Sequence, residues 1–342
     1  MSTTPSPSLA ERLQAHHEAG YLSLHMPGHK ENTALAPYLA CLRADLDITE
    51  LPDFDDLHDP SGVLAQAMDR AAALWGSRRS YLQVNGSTGG LLAAIRAATR
   101  RGDKVLVARH CHKAVYHAIE LCGLEPVFLV PPVEPTFGIA ASLPPEQVAA
   151  ALEEHPDAAL VIYPSPTYDG VVSDTAGICA AAHAKGVPVL VDEAHGAHLG
   201  FHPAFPPGAM SQGADLAVAS LHKMLPSLTQ TAVLHASGQR VPLPQVARQT
   251  GIFQSSSPSY LLLASMEGCI GLLEEQGETL FAAWARRLDA FDQAIQGLQH
   301  LQVLGHGALA GVPVPGLFAL DPAKPLLSTR RRALPGVEPT QP

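Results

Sequence analysis

Seven short apolar runs, most of them ending abruptly at polar residues, restrict this chain more than any other feature. They occupy residues 80–84, 104–108, 126–130, 158–163, 187–191, 216–219 and 231–236. Runs this short have strand length, and helical patterns separate them at 61–75, 91–99, 113–121, 145–154 and 174–185. Strands alternating with helices predict an α/β fold built on a mostly parallel sheet, here of seven strands. The near-continuous apolar run at 158–163 suits a strand covered on both faces. Sheets of this kind bind ligands outside the carboxyl ends of their strands. The polar strand ends at 85, 109, 164, 192 and 220 can therefore converge on one site.

The run at 216–219 leads into Ser220, Leu221, His222 and Lys223, and Pro226 blocks easy helical continuation. A lysine carried to the end of a buried strand is poorly solvated, so its amine becomes available as a Schiff-base nucleophile. Taken alone, the segment reads equally well as a surface lysine at a strand end. Upstream, the run at 187–191 ends in Asp192, with His195 three residues on. An aspartate and a histidine so placed suit a protonated pyridine nitrogen and a phenolic oxygen, the two groups that pyridoxal phosphate (PLP) presents. Residues 85–90 (Asn-Gly-Ser-Thr-Gly-Gly) form a glycine-rich strand-to-helix turn. There the backbone amides and the Ser87 and Thr88 hydroxyls can approach a phosphate, although a purely structural turn fits as well. His110 and His112 flank Cys111 at another strand end. That pair also suggests a metal, but no partner cluster with structural-zinc spacing follows. His195, His198 and His202 raise the same question, and with no second acidic ligand evident nearby a metal is not expected.

Together these stretches resemble the Orn/Lys/Arg decarboxylase family of fold-type I PLP enzymes. The matching motifs are His-Met-Pro-Gly-His-Lys at 25–30, the turn at 85–90, His-Cys-His-Lys at 110–113, Asp-Glu-Ala-His at 192–195 and Ser-Leu-His-Lys at 220–223. They stand in the family's order, and five ordered motifs are far more specific than one. The resemblance implies a fold-type I PLP-dependent transferase-like large domain at 59–275, preceded by an N-terminal segment at 1–58. It implies that Lys223 carries PLP, that Asp192 holds the pyridine nitrogen, and that His195 orients the phenolic oxygen. His112, in preference to His110, would stack on the ring. Ser87, Thr88 and Ser220 would bind the phosphate with His222, and either His222 or Lys223 would return the final proton. The implied reaction is decarboxylation of arginine, lysine or ornithine to a polyamine-pathway amine. Transamination or carbon–carbon cleavage with the same Lys223 and Asp192, or a shortened homologue without turnover, are the alternatives.

The resemblance also implies a homodimer in which the turn at 25–30 lies near the site. Ser256 and Ser257 would be contacts across the interface, although helix capping suits the serine-rich stretch at 254–260 better. After residue 324 the family continues through a further αβ domain. Here 276–342 read as a helix and a closing stretch with Ser-Thr-Arg-Arg-Arg at 328–332, the C-terminal small domain largely missing and 310–325 an abbreviated link.

Composition narrows the partners. A formal charge of −10 over 342 residues argues against nucleic acid or an anionic membrane and is compatible with a cationic substrate. The five scattered cysteines, with no CxxC pair, fit reduced thiols in a cytoplasm. The N-terminus lacks a basic-then-apolar signal pattern, and no apolar run reaches membrane-spanning length. Residues 1–8 read as a disordered tail, 9–19 as an amphipathic helix and 45–59 as a solvated acidic loop. Beyond the last strand, two helices are expected, at 261–275 and about 280–298.

Overall fold

A computed structural model describes residues 7–298, 301–305 and 314–328. Most of the expected tail, at 1–6, and the end of the chain, at 329–342, lie outside the described residues. The seven runs all form strands of one sheet: β1 (Arg79–Gln83), β2 (Lys104–Ala108), β3 (Glu125–Leu129), β4 (Ala158–Pro164), β5 (Val189–Asp192), β6 (Leu216–Ser220) and β7 (Ala232–Ala236). The spatial order is β1-β7-β6-β5-β4-β2-β3. Only β7 runs against the rest, pairing antiparallel with both β1 and β6. The other pairings are parallel, which is the mostly parallel α/β sheet that the strand–helix alternation predicts.

Side-chain alternation divides the sheet between two cores. Tyr81 and Leu234 join one, and their neighbours Leu82 and Val233 join the other. Helices α3 (Gly86–Ala98), α4 (Lys113–Cys122), α5 (Pro145–Glu154), α6 (Thr175–His183) and α8 (Leu243–Phe253) cover the first face. Helices α1 (Leu9–Glu18), α2 (Val63–Trp75) and α9 (Tyr260–Ile295) cover the second, and the single turn α7 (Leu221–Met224) follows β6. Leu160, Val161 and Ile162 in β4 have no exposed surface. Burial of each such side chain is worth roughly 1.5–3 kcal/mol, so cover on both faces is what holds the central strands. Among the described residues no helix is long and apolar enough to cross a membrane.

Several expectations change. Helix α3 begins at Gly86, not at residue 91, so the glycine-rich turn is itself the first helical turn. The two helices expected after residue 260 are one, α9, of 36 residues. A mid-helix glycine costs about 1 kcal/mol, but tertiary packing carries α9 past Gly277. Phe281 stacks on Phe201 at 5.2 Å, and Trp284 lies 5.1 Å from Phe205. Arg70 of α2 adds bonds to Glu267 and Glu274, each at 2.7 Å. Helix α8 was not among the expected helices. Pro242 sits at the N-cap and Pro244 in the first turn, where no intrahelical N–H bond is lost. Within the acidic stretch, Asp55 is not merely solvated. Its carboxylate accepts from the backbone amides of Ser61, Gly62, Leu64 and Ala65 and so caps α2 from outside.

Of the stretch read as an abbreviated link, residues 310–313 lie outside the described residues, and the part from 314 onward carries short strand pairings. Ala319–Leu320 pairs antiparallel with Val171–Val172, and Gln302–Val303 pairs with Leu327–Ser328.

Candidate active site

The register of the parallel strands aligns their ends. Pro164 stands opposite Asp192, Asp192 opposite Val218, and Ser220 opposite Ala232. At this edge lies a cavity of about 390 Å³, and Ser87, Thr88, His112, Asp192, His195, Ser220, His222 and Lys223 all line it. Every residue that the sequence nominates for the cofactor is thus on one wall or another of a single cavity. Asn85, one of the strand ends expected at the site, shares the lining, and so do Thr229 and Gln230, which were not anticipated.

The floor is the N-terminus of α3. Its N-cap residue, Asn85, makes no capping bond with its side chain. That amide is committed elsewhere, donating to the Phe253 carbonyl at 3.3 Å and accepting from the Ser255 amide at 3.4 Å. Next to it the Gln254 side chain accepts from the Val84 amide and donates to the Leu82 carbonyl, completing the edge of β1. The helix end is therefore left open to the cavity, with the positive end of its dipole inward. Close packing brings it there. A Cβ on Gly90 would meet Val218 Cγ1 at 3.0 Å, so a side chain at that position would push α3 off the sheet. The Ser87 and Ser220 hydroxyls, 2.5 Å apart, bridge α3 to the end of β6.

Asp192, which lines the same cavity, is buried, its carboxylate accepting from the Ala194 amide at 3.2 Å. Burial raises its pKa, and that amide, Lys223 and His112 oppose the rise. Lys223 lies in the one-turn helix after β6. Burial lowers its pKa, with Asp192 pulling the other way. Lys223 Nζ is 3.1 Å from His195 Nε2, and Lys324 Nζ is 2.8 Å from His195 Nδ1. Burial first, and then Lys324, Lys223, His112 and His222, bring His195 down to about 3. His195 is therefore a neutral imidazole at ordinary pH.

The remaining histidines separate. His112 is the N-cap of α4, and its Nδ1 accepts from the Ala114 amide at 3.2 Å, which fixes the ring against the cavity. His110 does not line the cavity. His222 Nδ1 donates to the Thr231 carbonyl at 2.9 Å. His198 turns to Asp321 at 3.0 Å and His202 accepts from the Ala204 amide, so neither joins His195 in a ligand cluster. Among the described residues the group close enough to hold a metal ion is His16, His25 and Glu31, not this trio. The turn at 25–30 lines no part of the cavity within a single chain, and Ser256 and Ser257 are exposed. The α9 cap is Ser259, which accepts from the Leu262 amide at 3.4 Å.

The donor set fits PLP. An open helix end with two hydroxyls offers an anion site, and a buried carboxylate and an amine of lowered pKa line the same cavity. Lys324, the residue that sequence reasoning missed, enters from the strand-like segment at 319–324. It lies in the stretch at 310–325 read as an abbreviated link, which carried no predicted role.

Comparison with known proteins gives the family and the fold. The model of the family described as Orn/Lys/Arg decarboxylase, major domain, matches residues 7–323. The Bacillus subtilis (strain 168) protein YaaO is 37% identical over 317 residues, covering 90% of this chain and 64% of that protein. An arginine decarboxylase of Bacillus anthracis is 33% identical over 328 residues, covering 95% of this chain and 66% of the relative. This chain thus spans just under two thirds of the length of each. The structure of Escherichia coli constitutive lysine decarboxylase superposes with a TM-score of 0.80 at 21% identity, over 94% of this chain and 51% of that one. Lysine decarboxylase A from Pseudomonas aeruginosa gives 0.81 at 24% identity, again over 94% and 51%. At those identities the structures speak for the fold. The family match spans nearly the whole described chain, and the chain belongs to the Orn/Lys/Arg decarboxylase family.

Proposed function

We propose that this chain carries the PLP-binding major domain of an amino acid decarboxylase, and that its substrate is arginine, with lysine and ornithine as the neighbouring choices. The observation that carries the reading is the buried Asp192 facing Lys223 in a cavity floored by the uncapped end of α3. The preference for arginine comes from the 33% identity to the Bacillus anthracis arginine decarboxylase, against 28% to the Pseudomonas aeruginosa lysine decarboxylase LdcA.

In this reading PLP, when bound, supplies the electron sink for the electron pair that CO2 leaves behind. Lys223, its ammonium disfavoured by burial, offers the amine for covalent attachment. Asp192 keeps a proton on the pyridine nitrogen, a role suited to a carboxylate held away from water. His112, its ring pinned at the α4 N-cap, would stack on the cofactor, and His195 would meet the phenolic oxygen. Ser87, Thr88 and Ser220 hold the phosphate at the α3 terminus. His222 has committed Nδ1–H to Thr231, so it donates to that phosphate through Nε2 only as the imidazolium. Either Lys223, whose nitrogen meets His195, or His222 through Nε2 would return the final proton. The five free cysteines suit a reducing compartment, and we place the chain in the cytoplasm on that ground.

The chain works as a homodimer in this proposal. Support comes from large apolar side chains left uncovered near the N-terminus, including Leu22, Leu24 and Leu35.

Borohydride treatment after loading with PLP is expected to leave a pyridoxyl group on the Lys223 peptide, and arginine is expected to release its amine faster than lysine or ornithine. Labelling of another lysine would sink the assignment. Ketoacid release in place of amine would move the chain to transamination.

A further inference from the structure

We infer that Lys324 is a positioning residue of this site: its ammonium donates to His195 Nδ1 and so places the His195 hydrogen on Nε2, facing Lys223 and the cavity. The geometry runs in one line, Lys324 Nζ to Nδ1 at 2.8 Å and Nε2 to Lys223 Nζ at 3.1 Å. Burial lowers the Lys324 pKa as it does that of Lys223, and Asp321 and Asp169 oppose the drop at Lys324. In its charged form a lysine has donors and no acceptor, so the nitrogen it meets on a neutral imidazole is the one with the lone pair. The hydrogen then belongs to Nε2. That nitrogen becomes a donor, and it addresses either the Lys223 amine or an oxygen occupying the cavity. With the other tautomer Nε2 would present a lone pair and repel an anionic oxygen.

Lys324 is not a surface lysine that happens to lie near. The segment bearing it is anchored along its length. Phe318 donates its amide to Ser142 Oγ at 2.8 Å, and the Asp321 amide donates to the Gly170 carbonyl at 2.8 Å. Asp321 is buried, accepts from the Ala323 amide at 3.0 Å, and pairs with buried His198 at 3.0 Å. Gly170 has φ +87°, and a Cβ there would lie 2.8 Å from Lys324 Cβ, so the loop and the segment are fitted backbone to side chain. The Lys324 ammonium lies 5.9 Å from the centre of the Tyr168 ring, which itself stands edge-on to His195 at 5.5 Å. The charged and titratable groups around His195 are Lys324, Lys223, His112 and His222, with Asp192 beyond Lys223. Among them Lys324 is the group on Nδ1.

The consequence for the cofactor rests on the reading of this cavity as a PLP site, but the tautomer is a property of the chain and is measured without PLP. The experiment is long-range proton–nitrogen NMR on cofactor-free protein labelled at histidine, with His195→Gln used to assign the signals. The wild-type chain is expected to show His195 Nε2 as the protonated nitrogen and Nδ1 as the bare one. Lys324→Met is expected to mix the tautomers and let His195 gain a proton at higher pH, whereas Lys324→Arg keeps the donor and the wild-type pattern. Circular dichroism and melting accompany each variant. A wild-type spectrum with the hydrogen on Nδ1 overturns the inference whatever the variants do. So does a folded Lys324→Met protein with an unchanged His195 pattern. Failure to bind PLP would defeat the proposed function and leave the tautomer assignment standing, so the two are distinguished.

Discussion

Two apolar regions of this molecule are covered very differently. Along the sheet, Val105, Leu106, Val107 and Leu190 are wholly buried between helices contributed by the same chain. In the N-terminal segment Leu22, Leu24 and Leu35 are 84%, 82% and 82% exposed, with Tyr21, Met26 and Tyr38 beside them. The sheet owns its cover, and that cover also strips water from the polar groups at the strand ends. Asp192, Lys223 and His195 all shift towards their neutral forms with burial as the largest cause. The N-terminal segment holds comparable side chains with nothing over them. Chemistry gathers at the first region, and the second is where the proposed homodimer would meet.

The sharpest way to break this contrast is to remove the charge that the covered region is built around. Asp192→Asn keeps the shape and the acceptor for the Ala194 amide but cannot hold a proton on a pyridine nitrogen. Turnover is expected to fall by several orders of magnitude, while thermal melting stays at or above the wild-type value because a buried carboxylate has been removed. Steady-state rates with melting curves check it, and an undiminished rate would make Asp192 a structural residue.

Much of this first region was legible because its signals are local. A strand of β6 length followed by Ser220, His222 and Lys223 needs only neighbouring residues to be recognised, and parallel topology then brings the strand ends together. What escaped reading depends on contacts between distant residues. Lys324 and His195 are 129 positions apart. Nothing near residue 324 says that Asp321 finds a buried histidine, so the segment read as a link. Asp55 caps α2 across an intervening loop, where Ser61 looked like the local candidate. The two helices expected at 261–275 and about 280–298 are one, and the aromatic packing that holds α9 together past Gly277 comes from the distant Phe201 and Phe205. The first turn of α3 was misread for the opposite reason. Its glycines serve close approach to Val218 and an open helix end, and glycine in sequence looks the same in a turn.

A smaller effect sharpens the role of burial at the strand ends. Glu193 is buried next to Asp192, accepts from the Ala209 amide at 2.8 Å, and is raised by burial from its ordinary 4.5 to about 8. A carboxyl with the higher pKa in the folded chain binds its proton more tightly there than in the unfolded chain. Its contribution is therefore full below the unfolded value and is lost as pH climbs through the folded one. Between those values the loss is on the order of 4 kcal/mol at most. Glu193→Gln preserves an acceptor for Ala209 and removes the titration. Denaturant unfolding at pH 5 and pH 8 is expected to show a decline for the wild type that the variant lacks in large part, and equal declines would place the ionisable burden elsewhere.

The smallest effect on the fold, and the most specific, concerns the uncovered region. If a second copy of the chain covers residues 21–42, replacing exposed leucines there should weaken association and leave folding alone. Leu22 and Leu24 contribute almost nothing to the core of one chain, so Leu22→Ser with Leu24→Ser removes little that holds the monomer together. Burying one leucine is worth about 2 kcal/mol, and a two-fold interface loses both from each side. The dimer constant is then expected to rise by at least about a hundredfold. Light scattering across a concentration series reads that shift, with far-UV circular dichroism as the control for folding. A double variant that dimerises as tightly as the wild type would show that another surface joins the chains. A wild type that stays monomeric at high concentration would leave the exposed leucines to a different partner. In either outcome the sheet edge would keep its own chemistry, because its cover comes from within the chain.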